Sequence, residues 1–176
     1  MLKKSLAALC TVLGLTGCAG VSPGVYRDQT PTLDIAAYFN GPLTAWGYFA
    51  DRSGEVKRRF TVKMTGEWKG NEGVLTEHFD WSDGEKTQRI WRISKLDAHR
   101  YIGRANDVKG EAIGTAYGNA LQWKYTLLLP VDGKIYEVQF DDWMYQMDDA
   151  VMLNKSEMRK FGFKLGEIVI SFRKGP

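Results

Sequence analysis

Short apolar segments alternate with turn signals at intervals of about eight to twelve residues, and this spacing constrains the fold more than any other feature. Phe60, Val62 and Met64 alternate with polar residues, a period that indicates a half-buried β-strand. Turn-forming stretches such as Asp51–Gly54 and Val131–Lys134 separate these segments. Because most neighbouring segments are joined by short turns, we predict an all-β fold, a single antiparallel up-and-down β-barrel of about 8–10 strands.

The N-terminus has the pattern of an export signal. A basic start precedes an apolar run, Leu6–Leu15, that is too short to span a bilayer. The run ends in Leu15-Thr16-Gly17-Cys18, which is similar to the bacterial lipobox, in which the signal peptide is removed and the cysteine is acylated. We therefore predict a lipoprotein signal peptide over residues 1–17 and a lipid anchor at Cys18. By resemblance to enterobacterial sorting, Ala19 implies the periplasmic leaflet of the outer membrane.

Removal of this signal changes what the composition implies. The 24 basic residues lose Lys3 and Lys4 and become 22 against 21 acidic residues, so the formal net charge falls from +3 to +1. The charges form no basic stripe, which argues against a nucleic-acid partner. With Cys10 removed and Cys18 acylated, no disulfide is expected, and only two histidines argue against a multi-histidine metal site. We expect no metal and no cofactor.

The mature chain divides into a tether and a barrel. Residues 18–32 are rich in Gly, Pro and Ser without an apolar period, so we predict a lipidated cysteine followed by a flexible tether. Residues 33–176 are predicted to form the barrel domain. Leu33, Ala36 and Ala37 fall at helical spacing, which predicts a short helical turn before the first strand.

An ordered set of short motifs along this domain resembles an uncharacterised family of bacterial lipoproteins, domain of unknown function 3833. The motifs are Tyr38-Phe39-Asn40-Gly41, Ala45-Trp46-Gly47, Arg58-Arg59-Phe60, Glu77-His78-Phe79, Asp83-Gly84, Arg89-Ile90-Trp91, Asp107-Val108-Lys109-Gly110-Glu111-Ala112, Gly118-Asn119-Ala120-Leu121 and Asp141-Asp142-Trp143-Met144. The resemblance implies a lipocalin-like, calycin-type barrel on a lipid anchor. It implies no established activity, so function has to be argued from sites.

The hairpin around Asp83-Gly84 contains two charged residues on an apolar face. A loop centred on Asp83 places Glu77 opposite Arg89, and both then lie among large apolar residues. A charge in an apolar interior is costly unless it is paired. Two interpretations follow: a structural ion pair that fixes the strand register, or a polar anchor inside a ligand cavity.

Two adjacent carboxylates, Asp141 and Asp142, follow the strand that contains Phe140. Neighbouring residues of a strand point to opposite faces, so the two cannot act as a close catalytic pair unless a bulge intervenes. Asp142 continues the inward face and is predicted near a barrel rim. It is expected either to cap turn amides or to accept hydrogen bonds from Arg89, Arg104 or a ligand.

Aromatic residues complete the candidate ligand site, either as the lining of an apolar cavity or as packed core. The candidate binding residues are Glu77, Arg89, Trp91, Trp123, Tyr125, Tyr136, Phe140, Asp142 and Trp143.

Three functional interpretations remain open. The first is a monomeric, lipid-anchored module that binds a small apolar or lipid-like ligand, oriented by Glu77, Arg89 and Asp142. The second is a lipoprotein with a filled barrel that acts through its outer surface on an envelope partner. An enzyme is the third interpretation, and it requires Glu77 or Asp142 to have a raised pKa inside an open cleft. No catalytic residue is assigned.

Overall fold

The computed structural model describes residues 20–175, which form one β-barrel preceded by two short helices. The helices are a 3-10 helix (Pro23–Tyr26) and α1 (Ile35–Tyr38). The strands are β1 (Gly41–Asp51), β2 (Val56–Lys69), β3 (Glu72–Trp81), β4 (Lys86–Lys95), β5 (Arg100–Arg104), β6 (Ala112–Tyr117), β7 (Ala120–Val131), β8 (Lys134–Gln146), β9 (Val151–Lys160) and β10 (Phe163–Lys174).

Each strand pairs in an antiparallel manner with the next strand along the chain, and β1 pairs with β10 to close the barrel. The predicted all-β, up-and-down barrel is therefore confirmed, with ten strands. Two ends can be distinguished. At the helix end, α1 covers the interior. The rim end carries the β1–β2, β3–β4, β7–β8 and β9–β10 turns and the β5–β6 loop.

Side chains alternate between the interior and the outer surface. On β2, Phe60, Val62 and Met64 are buried while the residues between them are exposed, as the sequence pattern predicted. Two glycines give large aromatic residues room inside the barrel. A Cβ atom on Gly103 or on Gly114 would lie 2.3 Å from ring atoms of Trp123, so a side chain at either position would displace the indole.

The helix end is filled by apolar side chains. Asp34 caps α1 by accepting hydrogen bonds from the amides of Ala36 and Ala37, which explains why the predicted helical turn begins here. Phe39 follows α1 and packs edge-on against Phe172 near the end of β10, with ring centroids 5.8 Å apart. The hydroxyl of Tyr38 donates to the carbonyl oxygen of Ala150 at 3.0 Å. Together these contacts seal one end of the barrel.

The segment before α1 packs against the outside of the barrel. The 3-10 helix contacts β6 and β7, and the Tyr26 ring lies 5.9 Å from that of Trp143 and 5.4 Å from that of Tyr145. The amide of Leu33 donates to the carbonyl oxygen of Gly118 at 2.8 Å. Residues 23–33 are thus held by aromatic and hydrogen-bonding contacts, whereas the sequence predicted a flexible tether up to residue 32. The low apolar content of this segment gave no indication of these contacts.

Between β4 and β7 the barrel wall is built from short strands, and we call this region the short wall. β5 and β6 have only five and six residues, so they do not extend along the rim half of their longer neighbours. The β5–β6 loop fills this opening. Its residue Val108 forms an isolated bridge with Leu127 of β7, and the amide of Lys109 donates to the carbonyl oxygen of Thr126 at 2.9 Å.

The predicted signal peptide and the predicted acylated residue, Cys18, lie outside the described residues. Within residues 20–175, no helix is long and apolar enough to cross a membrane.

Candidate functional site

A group of polar side chains lies inside the barrel, about midway between its ends. Glu77 comes from β3, Arg89 from β4, Tyr125 from β7 and Asp142 from β8, all at inward positions of their strands. Asp107 reaches the group from the β5–β6 loop. We call these five residues the polar cluster. It contains three carboxyl groups and one guanidinium group.

The predicted register of the β3–β4 hairpin is confirmed, because Glu77 lies directly opposite Arg89. Of the two interpretations, the direct ion pair between them is wrong. Arg89 instead donates to Oδ2 of Asp107, from Nε at 2.9 Å and from Nη2 at 2.6 Å. Among the described residues, no oxygen of Glu77 lies within 4.0 Å of an Arg89 nitrogen. Two charge-assisted hydrogen bonds to one oxygen of the loop carboxylate thus take the place of a pair with Glu77.

Asp107 contacts both strands that border the short wall, β4 and β7. Its side chain accepts from Arg89 on β4, while its backbone carbonyl oxygen accepts from the amide of Leu128 on β7 at 2.7 Å. The second carboxylate oxygen, Oδ1, is buried without a hydrogen-bond partner. Sequence reasoning did not identify this residue as part of the site. The only signal was its place in the motif that begins Asp107-Val108.

Glu77 is 8% exposed and lies in an environment that favours its neutral form. Burial raises the pKa of its carboxyl group to about 7. The nearby charge of Arg89 lowers this pKa, whereas Asp107 and Asp142 raise it further. Glu77 therefore binds a proton over much of the range below neutral pH, and it then offers both a donor and an acceptor.

Asp142 is 6% exposed, and its Oδ1 atom has no hydrogen-bond partner. Burial raises the pKa of this carboxyl group to about 6, although the hydroxyls of Ser156 and Tyr125 lower it. The adjacent Asp141 lies on the outer face, where it accepts a hydrogen bond from Gln122 at 2.7 Å. The two carboxylates thus point to opposite faces, as expected. A partner for Asp142 must come from the interior, and Arg104 cannot serve because it pairs with Glu111.

Three aromatic candidates, Trp91, Trp123 and Phe140, lie beside the polar cluster, and a fourth, Tyr125, belongs to it. Trp91 packs edge-on against Trp123 and Tyr125, with centroid separations of 5.9 and 5.5 Å. Tyr125 stacks on Phe140 at 4.9 Å. Burial and the neighbouring Asp142 raise the pKa of the Tyr125 hydroxyl well above its usual value. Trp91 and Trp123 belong to the packed core of the helix half, and Tyr125 packs against that core.

Apolar side chains line the interior from the polar cluster to the rim end. Leu127, Val138, Phe140 and Met158 form a buried group on β7, β8 and β9, with half-buried residues beside it. Tyr136 lies further along the same face of β8, where it is partly exposed and where the ammonium group of Lys160 sits 4.3 Å above its ring. Tyr136 is therefore at the mouth of the barrel rather than within it.

Trp143 does not belong to the interior. It follows Asp142 on β8, so alternation directs it to the outer face, where it stacks with Tyr145 at 6.1 Å. Its inclusion among the residues of an internal site is therefore wrong. Trp143 lines a surface pocket of about 360 Å³ together with Tyr26, Lys124 and Asp141. A second surface pocket, of about 440 Å³, lies where the β5–β6 loop meets β7 and β8.

The polar cluster can bind through hydrogen bonds, because it combines two carboxyl groups of raised pKa, a hydroxyl group and one guanidinium. Two of its members reach solvent, since the side chains of Arg89 and Asp107 are 24% and 37% exposed. Residues 20–175 contain no group of three or more His, Cys, Asp or Glu residues arranged to hold a metal ion.

Comparisons with known proteins extend these observations. The barrel is similar to a crystal structure from Nostoc punctiforme, a protein with unknown function from the DUF3598 family, with a TM-score of 0.57 and 8% identity. That match covers 84% of this chain and 51% of the other, so the chain spans about half of its length. It is also similar to Rv2717c from M. tuberculosis, with a TM-score of 0.60, 12% identity, and coverage of 85% and 100%. At these identities the similarity shows the barrel fold alone.

No curated protein shows significant similarity to this chain. A family model described as a protein of unknown function matches residues 12–174, which is nearly the whole sequence and includes every residue of the polar cluster. The chain therefore belongs to the DUF3833 family, whose function is unknown.

Proposed function

We propose that this protein binds a small amphipathic molecule in the rim half of its barrel, with the polar part of the molecule on the polar cluster. The observation that carries the proposal is the Oδ1 atom of Asp142, which is buried inside the barrel without a partner. A buried polar atom without a hydrogen bond is costly. We therefore expect a ligand or a bound water molecule to supply the partner of this oxygen.

The chemistry of the site suggests the nature of the ligand. Asp142 and Glu77 are poised to exchange hydrogen bonds with hydroxyl, amide or amine groups, while Arg89 is occupied by Asp107. Between the cluster and the mouth, the wall is apolar. A ligand with a hydrogen-bonding head and an apolar chain or ring satisfies both regions, and burial of the apolar part supplies the driving force.

Native mass spectrometry tests the proposal. The chain without residues 1–18 is purified from cells that express it, and small molecules that remain bound are identified. We expect Asp142→Asn to lose most of the bound species. Its matched control is Asp141→Asn, the adjacent carboxylate on the outer face, which should retain it. Absence of any bound species, together with no thermal shift against a panel of lipids, would contradict the proposal.

A filled barrel that acts through its surface is the second candidate function. It is favoured by the packed helix half of the interior and by the surface pocket that Trp143 lines outside the barrel. Pull-down of an envelope partner that depends on Trp143, and not on Asp142, would support it.

An enzymatic role satisfies one of its two criteria. The pKa values of Glu77 and Asp142 are both raised, but the two carboxyl groups are buried rather than set in an open cleft. We therefore assign these groups to binding.

We further propose that acylation of Cys18 anchors the protein in the bacterial cell envelope, in the periplasmic leaflet of the outer membrane. The lipobox-like sequence Leu15-Thr16-Gly17-Cys18 supports this. Several acyl chains give stable anchoring, whereas a single chain does not. Cys18→Ser should prevent acylation, which intact-mass analysis detects. Extraction at alkaline pH is not decisive for this variant, because the uncleaved apolar run can also hold it in the membrane. A parent chain without acyl mass would refute the anchor.

A further inference from the structure

Two neighbouring turns at the rim end expose large apolar side chains. Phe161 is 85% exposed and Phe163 is 76% exposed, both at the β9–β10 turn. Val131 and Ile135 are exposed at the β7–β8 turn. Because β8 pairs with β9, the two turns are adjacent around the barrel. Exposed apolar residues are common singly, but a group of them at one end of a protein indicates an interaction surface.

The backbone conformation at Phe161 is unfavourable for a phenylalanine. The β7–β8 turn has positive φ values at Asp132 and Gly133, and these residues suit such a two-residue turn. The β9–β10 turn has the same pattern at Phe161 and Gly162, with φ values of 52° and 81°. A bulky residue with a φ of 52° is strained. The turn therefore holds an exposed phenyl ring where Asn or Asp would fold more easily.

Basic side chains surround these apolar residues. The ammonium group of Lys160 lies 4.3 Å from the Tyr136 ring and 5.2 Å from the Phe161 ring, so it joins the two turns. Among the described residues, Lys160 and Lys134 have no carboxylate within 4.0 Å. The other charged groups here are Asp132, Glu137, which pairs with Lys109, Glu157, which pairs with Arg159, and Glu167, which pairs with Lys155 and Lys164.

The course of the N-terminal segment points in the same direction. Leu33 is hydrogen-bonded at the helix end, Tyr26 packs on Tyr145, and Gly20 lines a pocket with Lys124 and Asp141 further along β7 and β8. Traced backwards, the chain thus approaches the rim end along the wall formed by β7 and β8. Their turn carries Val131 and Ile135.

We propose that the β7–β8 and β9–β10 turns dock on a bilayer that contains anionic phospholipid. The apolar side chains would enter the headgroup region, and Lys134 and Lys160 would contact phosphate groups. This mode of binding explains why exposed rings are combined with unpaired ammonium groups. The docking would place the mouth of the barrel against the membrane. The inference does not depend on a ligand in the barrel.

Site-specific fluorescence on the full-length chain tests this. A Phe163→Cys variant is labelled with an environment-sensitive dye and reconstituted with phosphatidylcholine vesicles, with or without phosphatidylglycerol. The control is Met147→Cys, in the β8–β9 turn at the helix end, which is 54% exposed. The parent chain, labelled identically, gives the background from Cys10 and Cys18. We expect a several-fold rise in emission and quenching by a lipid-borne quencher at position 163 only.

Two further variants decide the cause. Phe161→Asn should keep or raise the thermal midpoint, because Asn tolerates a positive φ, and it should reduce the emission rise at position 163. Lys160→Glu should remove the dependence on phosphatidylglycerol. Equal signals at positions 163 and 147, no signal at either, or a signal that requires an added protein fraction would each overturn the proposal.

Discussion

The helix end and the rim end of this barrel use the same kinds of residue in opposite ways. At the helix end, Tyr38 and Phe39 are buried at the end of α1, and the Tyr38 hydroxyl donates a hydrogen bond to the carbonyl oxygen of Ala150. At the rim end, Phe161 and Phe163 are exposed. Between the ends lies the polar cluster, in which Asp142 has an unpaired oxygen. The helix end therefore stabilises the fold. The polar cluster keeps an unpaired polar atom and the rim end keeps exposed apolar side chains, and both are costly to maintain.

The largest predicted effect comes from the same substitution made at each end. Phe39→Ala removes a buried ring and leaves a cavity, so we expect a loss of about 3–5 kcal/mol in the free energy of unfolding. Phe161→Ala removes an exposed ring, and we expect a change close to zero. Urea unfolding of both variants measures the difference. Equal losses would show that the two ends do not differ in their contribution to stability.

A second prediction concerns the pH dependence of stability. The pKa of Glu77 is raised from 4.5 to about 7 and that of Asp142 from 3.8 to about 6, so folding favours their protonated forms. Their contribution is present at low pH and is lost as pH rises through about 4 to 7, by on the order of 3 kcal/mol for each group. Urea unfolding at pH 5 and pH 8 measures this loss.

Glu77→Gln tests the same prediction by removing one of the two titrating groups. This variant should reduce the loss of stability between pH 5 and pH 8, because the amide stays neutral at both values. Asp141→Asn is the control, since this neighbouring group lies on the outer face and is the smallest of the causes that act on the pKa of Asp142, so it should change the pH profile less than Glu77→Gln does. A parent chain that becomes more stable from pH 5 to pH 8 would contradict the assignment.

The third prediction concerns the contact between Arg89 and Asp107 at the short wall. Arg89→Met or Asp107→Asn should each lower the free energy of unfolding by about 1–2 kcal/mol, since the pair is partly exposed. In a double-mutant cycle the two changes should be strongly non-additive. The cycle of Arg89→Met with Glu77→Gln serves as the comparison and should give the smaller coupling. A larger coupling to Glu77 would restore the ion pair that the sequence suggested.

These residues also show how far sequence reasoning reaches. The turn at Asp83-Gly84 and the alternation on both strands were sufficient to place Glu77 opposite Arg89. They could not reveal that Arg89 pairs with Asp107, because the loop position depends on how short β5 and β6 are. Trp143 was assigned to the interior although Asp142 beside it already occupied that face. Patterns thus predict strands and faces, while loops that cross the sheet need three-dimensional information.

The smallest predicted effect separates the two turns at the rim end. Phe161→Asn should raise the free energy of unfolding by about 0.5–1 kcal/mol, because Asn adopts a positive φ more readily than Phe. The control is Asp132→Asn at the equivalent position of the β7–β8 turn, where one suitable residue replaces another and no change is expected. Thermal unfolding of both variants provides the measurement. A gain in stability only at position 161 would mean that the native phenylalanine is kept at a cost to folding, which is what a docking surface requires. A loss there would mean that the ring stabilises the turn, and the case for docking would then rest on the lysines alone.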